Sequence, residues 1–273
     1  MIRSPYGKKL YIAWKGFARP DMIVLEVVDS TLEVSDELQE KVKVEWEKIL
    51  KKNPHNYDGH LWRFEGLVQE WGGPHVYVSP TRYSIHNVLR HEKFPHLSDY
   101  PTPFSISSLQ ETDDGYLLAG VRGKTSDQKG IHVLGAGFVK RYDAIATKEE
   151  TASLLPEPLI NTILRECGEE TKYTGGEAIN RRRIRAIVIA FGSNHDVTTG
   201  VHVPLSATRD EVELGNQEHS DLLFIPNKNR ILWGIIKNGD YQSIPVSDQS
   251  RAILQAYVQN REQGYILPSF VHK

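Results

Sequence analysis

Five charged side chains within 14 positions are the part of the sequence best suited to chemistry: Glu157, Arg165, Glu166, Glu169 and Glu170. On a helix each residue advances about 100 degrees, so Leu159, Ile160, Ile163, Leu164 and Cys167 form one apolar stripe. By the same arithmetic Glu166, Glu169 and Glu170 share an arc about 100 degrees wide beside that stripe. Like charges at these spacings destabilise a helix by roughly 0.2–0.5 kcal/mol per pair, and these lie toward the partially negative end of the helix dipole. Stability alone does not choose the arrangement. A hard divalent cation resolves the conflict, because magnesium accepts a few carboxylate oxygens, keeps several waters and joins them to substrate phosphates. The expected metal set is Glu166, Glu169 and Glu170, for magnesium or alternatively manganese. The competing meaning is a solvated acidic face on which Arg165 pairs with a neighbouring carboxylate.

Glu157, seven intervening residues and then Arg165-Glu166-Cys167-Gly168-Glu169-Glu170 resemble the signature of the Nudix hydrolases. Two positions depart from that signature: Thr151 and Lys172 stand where the family has glycine, so the loop before the helix and its C-terminal cap are expected to differ. The resemblance implies magnesium-dependent hydrolysis of a diphosphate bond in a nucleoside diphosphate linked to another group. It assigns the metal to Glu166, Glu169 and Glu170, the holding of a glutamate to Arg165, and a supporting role to Glu157. Glu169 and Arg165 thereby join the catalytic set, with Glu218 as the loop candidate for the base. His219 is a candidate phosphate donor or proton relay, since histidine titrates near neutrality. Arg122 is a candidate phosphate ligand through its planar fork. Wet-surface roles compete for both.

Over most of its length the chain also resembles the animal members of that family that split UDP-glucose and UDP-galactose. The shared features are Trp46 and Leu50 on a helix, Asn53-Pro54, Tyr57-Asp58-Gly59, Arg63-Phe64, Thr81-Arg82-Tyr83 and the Glu218-His219 pair. A UDP-sugar would then be the substrate, with Tyr83 or Trp71 stacking on uracil, because aromatic faces accept bases. Core packing is the commoner use of both. The alternatives are a nucleotide-binding or regulatory module without cleavage, and a hydrolase of RNA caps or ADP-ribose.

The elements that must position these residues fall into two regions. Residues 1–100 read as an αβ module: a strand over 23–28, a helix over 35–52, and a hairpin of 60–70 with 75–79 across Gly72-Gly73-Pro74. Pro95, Pro101 and Pro103 mark a junction over 94–104. Residues 101–273 read as the Nudix domain, an α/β/α sandwich with a mixed sheet, making the whole chain α+β. Within it a hairpin turns at Asp113-Asp114-Gly115, and a strand over 132–134 leads to Gly135 and Gly137. A loop of about 20 residues follows. Pro156 and Pro158 sit where the acidic helix begins, a position that tolerates a missing amide proton. Strands are expected over 183–191, 200–205 and 222–225, and helices over 207–214 and 247–262.

The 33 basic and 35 acidic side chains give a net charge of -2, so no global positive field attracts a polyanion and nucleic acid is an unlikely partner. The single cysteine, Cys167, excludes an internal disulfide. With a charged segment over 1–9 in place of an apolar leader, and no run of spanning length, a cytoplasmic protein without membrane contact is expected. The expected partner is a nucleoside diphosphate-linked small molecule, and a homodimer is left open.

Overall fold

The structure, a computed structural model, describes residues 2–3, 9–30, 32–54, 56–90, 92, 101–122, 130–142, 155–174, 178–192, 196–215 and 218–265. Thr151, most of the loop after Gly137 and the centre of the proline segment over 94–104 lie outside these residues.

In chain order the elements are β1 (Ile2–Arg3), β2 (Lys9–Ala18), β3 (Val24–Val27), α1 (Asp36–Lys52), β4 (His60–Glu70), β5 (Gly73–Arg82) and α2 (Tyr83–Leu89). They continue with β6 (Phe104–Glu111), β7 (Tyr116–Arg122), β8 (Gly130–Val133), β9 (Ala136–Phe138), β10 (Arg141–Tyr142), β11 (Leu155–Pro156), α3 (Leu159–Glu170) and β12 (Thr171–Tyr173). The remainder are β13 (Arg185–Phe191), β14 (Val197–Pro204), β15 (Val212–Leu214), β16 (His219–Pro226), α4 (Asn229–Asn238), β17 (Asp240–Tyr241), β18 (Ile244–Pro245) and α5 (Asp248–Glu262).

The large sheet runs β1-β2-β13-β14-β6-β7-β16, with β8 added on β7 and β9 on β6. It is mixed: β14 and β6 are parallel over their whole length, whereas the other pairs are antiparallel. Helix α3 covers one face and α4 with α5 the other, which gives the expected α+β sandwich. Burial on both faces explains why β13, Arg-Ala-Ile-Val-Ile-Ala-Phe, is a continuous apolar run. A bulge between Ala186 and Val188 turns consecutive residues Ile187 and Val188 to the α5 face, while Ala186 and Ile189 face α3.

Residues before the proline segment contribute to both sheets. β3, β5 and β4 make a separate three-stranded sheet, but β2 pairs with β13 in the large one. Trp62, Val76 and Val78 of the small sheet share one apolar core with Ile163 and Cys167 of α3 and Phe104 and Ile106 of β6. The Trp62 indole N–H also donates to the Lys140 carbonyl at 3.2 Å, and the Phe64 amide to that of Thr102 at 2.8 Å.

Two local expectations are corrected. Residues 207–214 are not helical: a single turn at Arg209–Glu211 is held by a Thr208/Glu211 capping box, and Val212–Leu214 then pairs with β12. The capping signal is real, but strand pairing takes the chain before a second turn forms. Helix α4 was not expected; Gly234 interrupts its apolar run, and Gly239, at φ 82, ends it. No helix among the described residues is long and apolar enough to cross a membrane.

Candidate active site

Leu159, Ile163 and Cys167 of the α3 stripe are buried, with Ile160 and Leu164 partly so, and two of the three carboxylates go inward beside them. Glu166 is 8% and Glu170 1% exposed, while the Glu169 side chain keeps 53% of its surface. Glu170 accepts from the Gly135 amide at 2.7 Å and from the Ala136 amide at 3.4 Å. Burial pushes its carboxyl up to about 7 against these two amides, with Glu218 adding to the rise and Arg122 opposing it. Burial also raises Glu166, opposed by Arg165 and aided by Glu169. Strand β9 runs close beneath: a Cβ on Gly137 would lie 2.1 Å from the Glu166 carboxylate.

Arg165 gathers the site. Its guanidinium pairs with Glu166, reaches Glu157 at 3.1 Å and Glu169 at 3.7 Å, and donates to the Phe138 carbonyl at 3.3 Å. Glu157 accepts a second bond from the Thr162 hydroxyl at 3.0 Å, so it braces Arg165 from the helix entrance. The helix exit needs no glycine at Lys172: Thr171 is already extended, at φ -131, and its hydroxyl donates to the Cys167 carbonyl at 2.5 Å. The Gly215 amide caps Glu170 at 2.8 Å, and Lys172 simply continues into β12.

These side chains line one side of a cavity of about 1220 Å³. Arg122, Glu218 and Tyr83 line it too, so of the candidate site residues the structure brings together all but His219 and Trp71. Arg122 and Glu218 approach to 3.6 Å. Tyr83, at the start of α2, packs edge-on to Trp46, with ring centroids 5.9 Å apart. His219 is instead buried, its Cδ2 only 1.9 Å from where a Cβ on Gly120 would stand, and neither ring nitrogen has a hydrogen-bond partner among the described residues. Burial, then Arg122, lowers its pKa, so a neutral packed ring replaces the expected phosphate donor. Trp71 is likewise not a stacking platform: it projects from the β4–β5 turn, 107% exposed.

The cavity also gathers residues that sequence reasoning missed: His86, Asn87, Arg90, Lys140, Asp196 and Gln249. Tyr83, His86, Asn87 and Arg90 recur at the i, i+3, i+4 and i+7 spacing of one helical face, a signal that was present but has no meaning until the opposite wall is known. His86 Nδ1 lies 3.2 Å from the Pro101 carbonyl, and its Nε2 lies 3.5 Å from Asp196 Oδ1.

By chemistry and place, Glu166, Glu169 and Glu170 fit a hard divalent cation, which would offset the burial that now raises Glu166 and Glu170. Their carboxylates do not yet converge. Among the described residues no three His, Cys, Asp or Glu side chains stand close enough to hold an ion, since Glu166 faces Arg165 and Glu170 faces two amides. Joint ligation requires Glu169, half-exposed and 3.7 Å from Arg165, and Glu166 to rotate toward Glu170.

No protein-family model matches the chain, and no curated protein does. Among solved structures it is similar to the E. coli ORF135 protein, at 20% identity and a TM-score of 0.32 over 59% of this chain and 91% of that one. It is also similar to a MutT protein from Methanosarcina mazei Go1, at 14% identity and a TM-score of 0.33 over 58% of this chain and 94% of that one. A C. elegans Ap4A hydrolase gives 12% identity and a TM-score of 0.36 over 59% of this chain and 98% of that one.

Proposed function

We propose that the chain is a Nudix-type diphosphatase that hydrolyses a nucleoside diphosphate-sugar, with UDP-glucose or UDP-galactose as the leading substrates. One observation carries this: the acidic face of α3, its organising arginine, the further cations Arg90, Arg122 and Lys140, and the Tyr83 ring line a single cavity. The Nudix assignment itself rests on the spacing from Glu157 to Glu170, and the UDP-sugar on the resemblance along the rest of the chain.

In this proposal Glu166, Glu169 and Glu170 hold magnesium, which neutralises diphosphate charge and lowers the pKa of water when bound. Arg122 and Lys140 take the diphosphate oxygens. Tyr83 offers its face to the base. Arg165, held by Glu157, keeps Glu166 oriented. Glu218, at the cavity edge beside Arg122, removes the proton from the attacking water. Water adds to one phosphorus, the bridging P–O bond breaks, and UMP and the sugar 1-phosphate leave.

Purified protein with magnesium should release UMP from UDP-glucose. Glu169→Gln combined with Glu170→Gln should abolish release, and Glu218→Gln should slow it by about 10²–10⁴-fold, the usual range for a general base. Undiminished turnover in the double variant would end the metal assignment. A second reading, nucleotide binding without cleavage, draws on the unconverged carboxylates; magnesium-independent binding with no product would select it.

A further inference from the structure

We propose that Asp196, His86 and Arg90 form a second recognition end of the cavity, which reads the hydroxyls of a sugar ring attached to the diphosphate. This rests on the diphosphate reading above and adds to it the residues that select the attached group.

Asp196 is 92% buried by residue area, its exposure being 8%, and it still lines the cavity. Its Oδ1 has no hydrogen-bond partner among the described residues. A buried carboxylate oxygen without a donor is costly, because the water it gave up on burial has not been replaced. The neighbouring histidine does not supply a simple donor. The Pro101 carbonyl can only accept, so His86 Nδ1 carries its proton there, and Nε2 is left facing Asp196 at 3.5 Å. When His86 is neutral and Asp196 ionised, two acceptors confront one another. An ionised Asp196 then draws its donors from the cavity it lines, and hydroxyl groups are donors that also accept from a cation. Arg90, the C-cap residue of α2, is the cation whose field acts on Asp196.

The sheet fixes how far this end lies from the carboxylates. Gly137, beneath Glu166, pairs with Ile106, whereas Val197 pairs with Phe104 and bonds back to the Pro103 carbonyl. Asp196 is therefore three residues along and two strands across from Gly137, about 14 Å from standard strand spacings. Phosphate held at α3 leaves this interval for an attached ring. Phe138 lies between the two ends, its ring 5.8 Å from that of His86 and 6.2 Å from that of Tyr83, and offers an apolar face to the ring.

The ring could be the transferred sugar or the ribose of the nucleoside, and three ligands separate them. Calorimetric titration in EDTA, which keeps turnover out of the measurement, would use UDP-glucose, the methyl ester of UDP, and 2′,3′-dideoxy-UDP-glucose. Asp196→Asn should weaken UDP-glucose at least about tenfold, the loss expected for a hydrogen bond to a charged group. The loss should vanish for the methyl ester if Asp196 reads the transferred sugar, and for the dideoxy analogue if it reads the ribose. Equal loss across all three ligands, or none, overturns the proposal. Should Asp196→Asn fail to melt cooperatively, Arg90→Gln carries the same comparison. A parent chain that neither binds nor cleaves UDP-glucose overturns the diphosphate-sugar reading instead, a result distinct from a parent that binds and an Asp196 variant that binds just as well.

Discussion

Replacing Gly137 with alanine tests whether Glu166 acts from where it lies. The added Cβ would stand 2.1 Å from both the Glu166 Cδ and one carboxylate oxygen. Since non-bonded carbons settle about 3.5–4.0 Å apart, the carboxyl must retreat by roughly 1.4 Å or more. The obstacle is the end of a flexible side chain, so the fold should survive with a loss toward the lower end of the about 1–3 kcal/mol usual for overpacking. For a chain of this length that is a fall of a few degrees in Tm. Displacement of about 1 Å within a catalytic constellation costs on the order of 10²-fold, and kcat/KM for UMP release should drop accordingly. Because both changes act through one carboxylate, Gly137→Ala should add little to Glu166→Gln, measured as a double-mutant cycle. Full activity in Gly137→Ala, or strict additivity with Glu166→Gln, would refute the placement.

Two further outcomes follow from buried groups. On the α5 side of the sheet, Glu111 accepts from the Tyr257 hydroxyl at 2.9 Å and from Asn227 at 2.6 Å, and lies 2.8 Å from His202. Tyr257→Phe should therefore cost about 1–3 kcal/mol in urea unfolding, with KM unchanged. Burial raises Asp196 from 3.8 to about 7, so between these values the folded chain binds more protons than the unfolded one. Stability from this group is present below 3.8 and lost as pH rises through about 7. The stability of Asp196→Asn relative to the parent should accordingly improve over that interval and then level off; parallel pH profiles would count against it.

The sequence made α3 legible because two independent periodicities coincide there, an apolar stripe and an acidic arc beside it. Metal-side residues separated by a few positions on one helix need no tertiary information. The opposite wall is different in kind. Asp196 meets His86 and Arg90 across about 100 residues of chain, through the parallel pairing of β14 with β6, and no local spacing encodes that. His219 shows the reverse error: its type suited phosphate chemistry, yet the alternation of β16 turned it against Gly120 while its neighbour Glu218 reached the cavity. β2 has no simple alternation to announce it, because a register shift against β13 sends Ile12 to the α5 face and Trp14 to the α3 face.

The apolar residues behind α3 belong partly to the small sheet, through Trp62, Val76 and Val78. On the proposed reading, a ligand between the two walls would join two parts of the chain that separate if that shared core opens. By mass action, saturation at 100 times Kd holds them together by about 2.7 kcal/mol. On that reading, occupancy would act as a clasp, and bound substrate should slow proteolysis of the purified protein relative to the empty one.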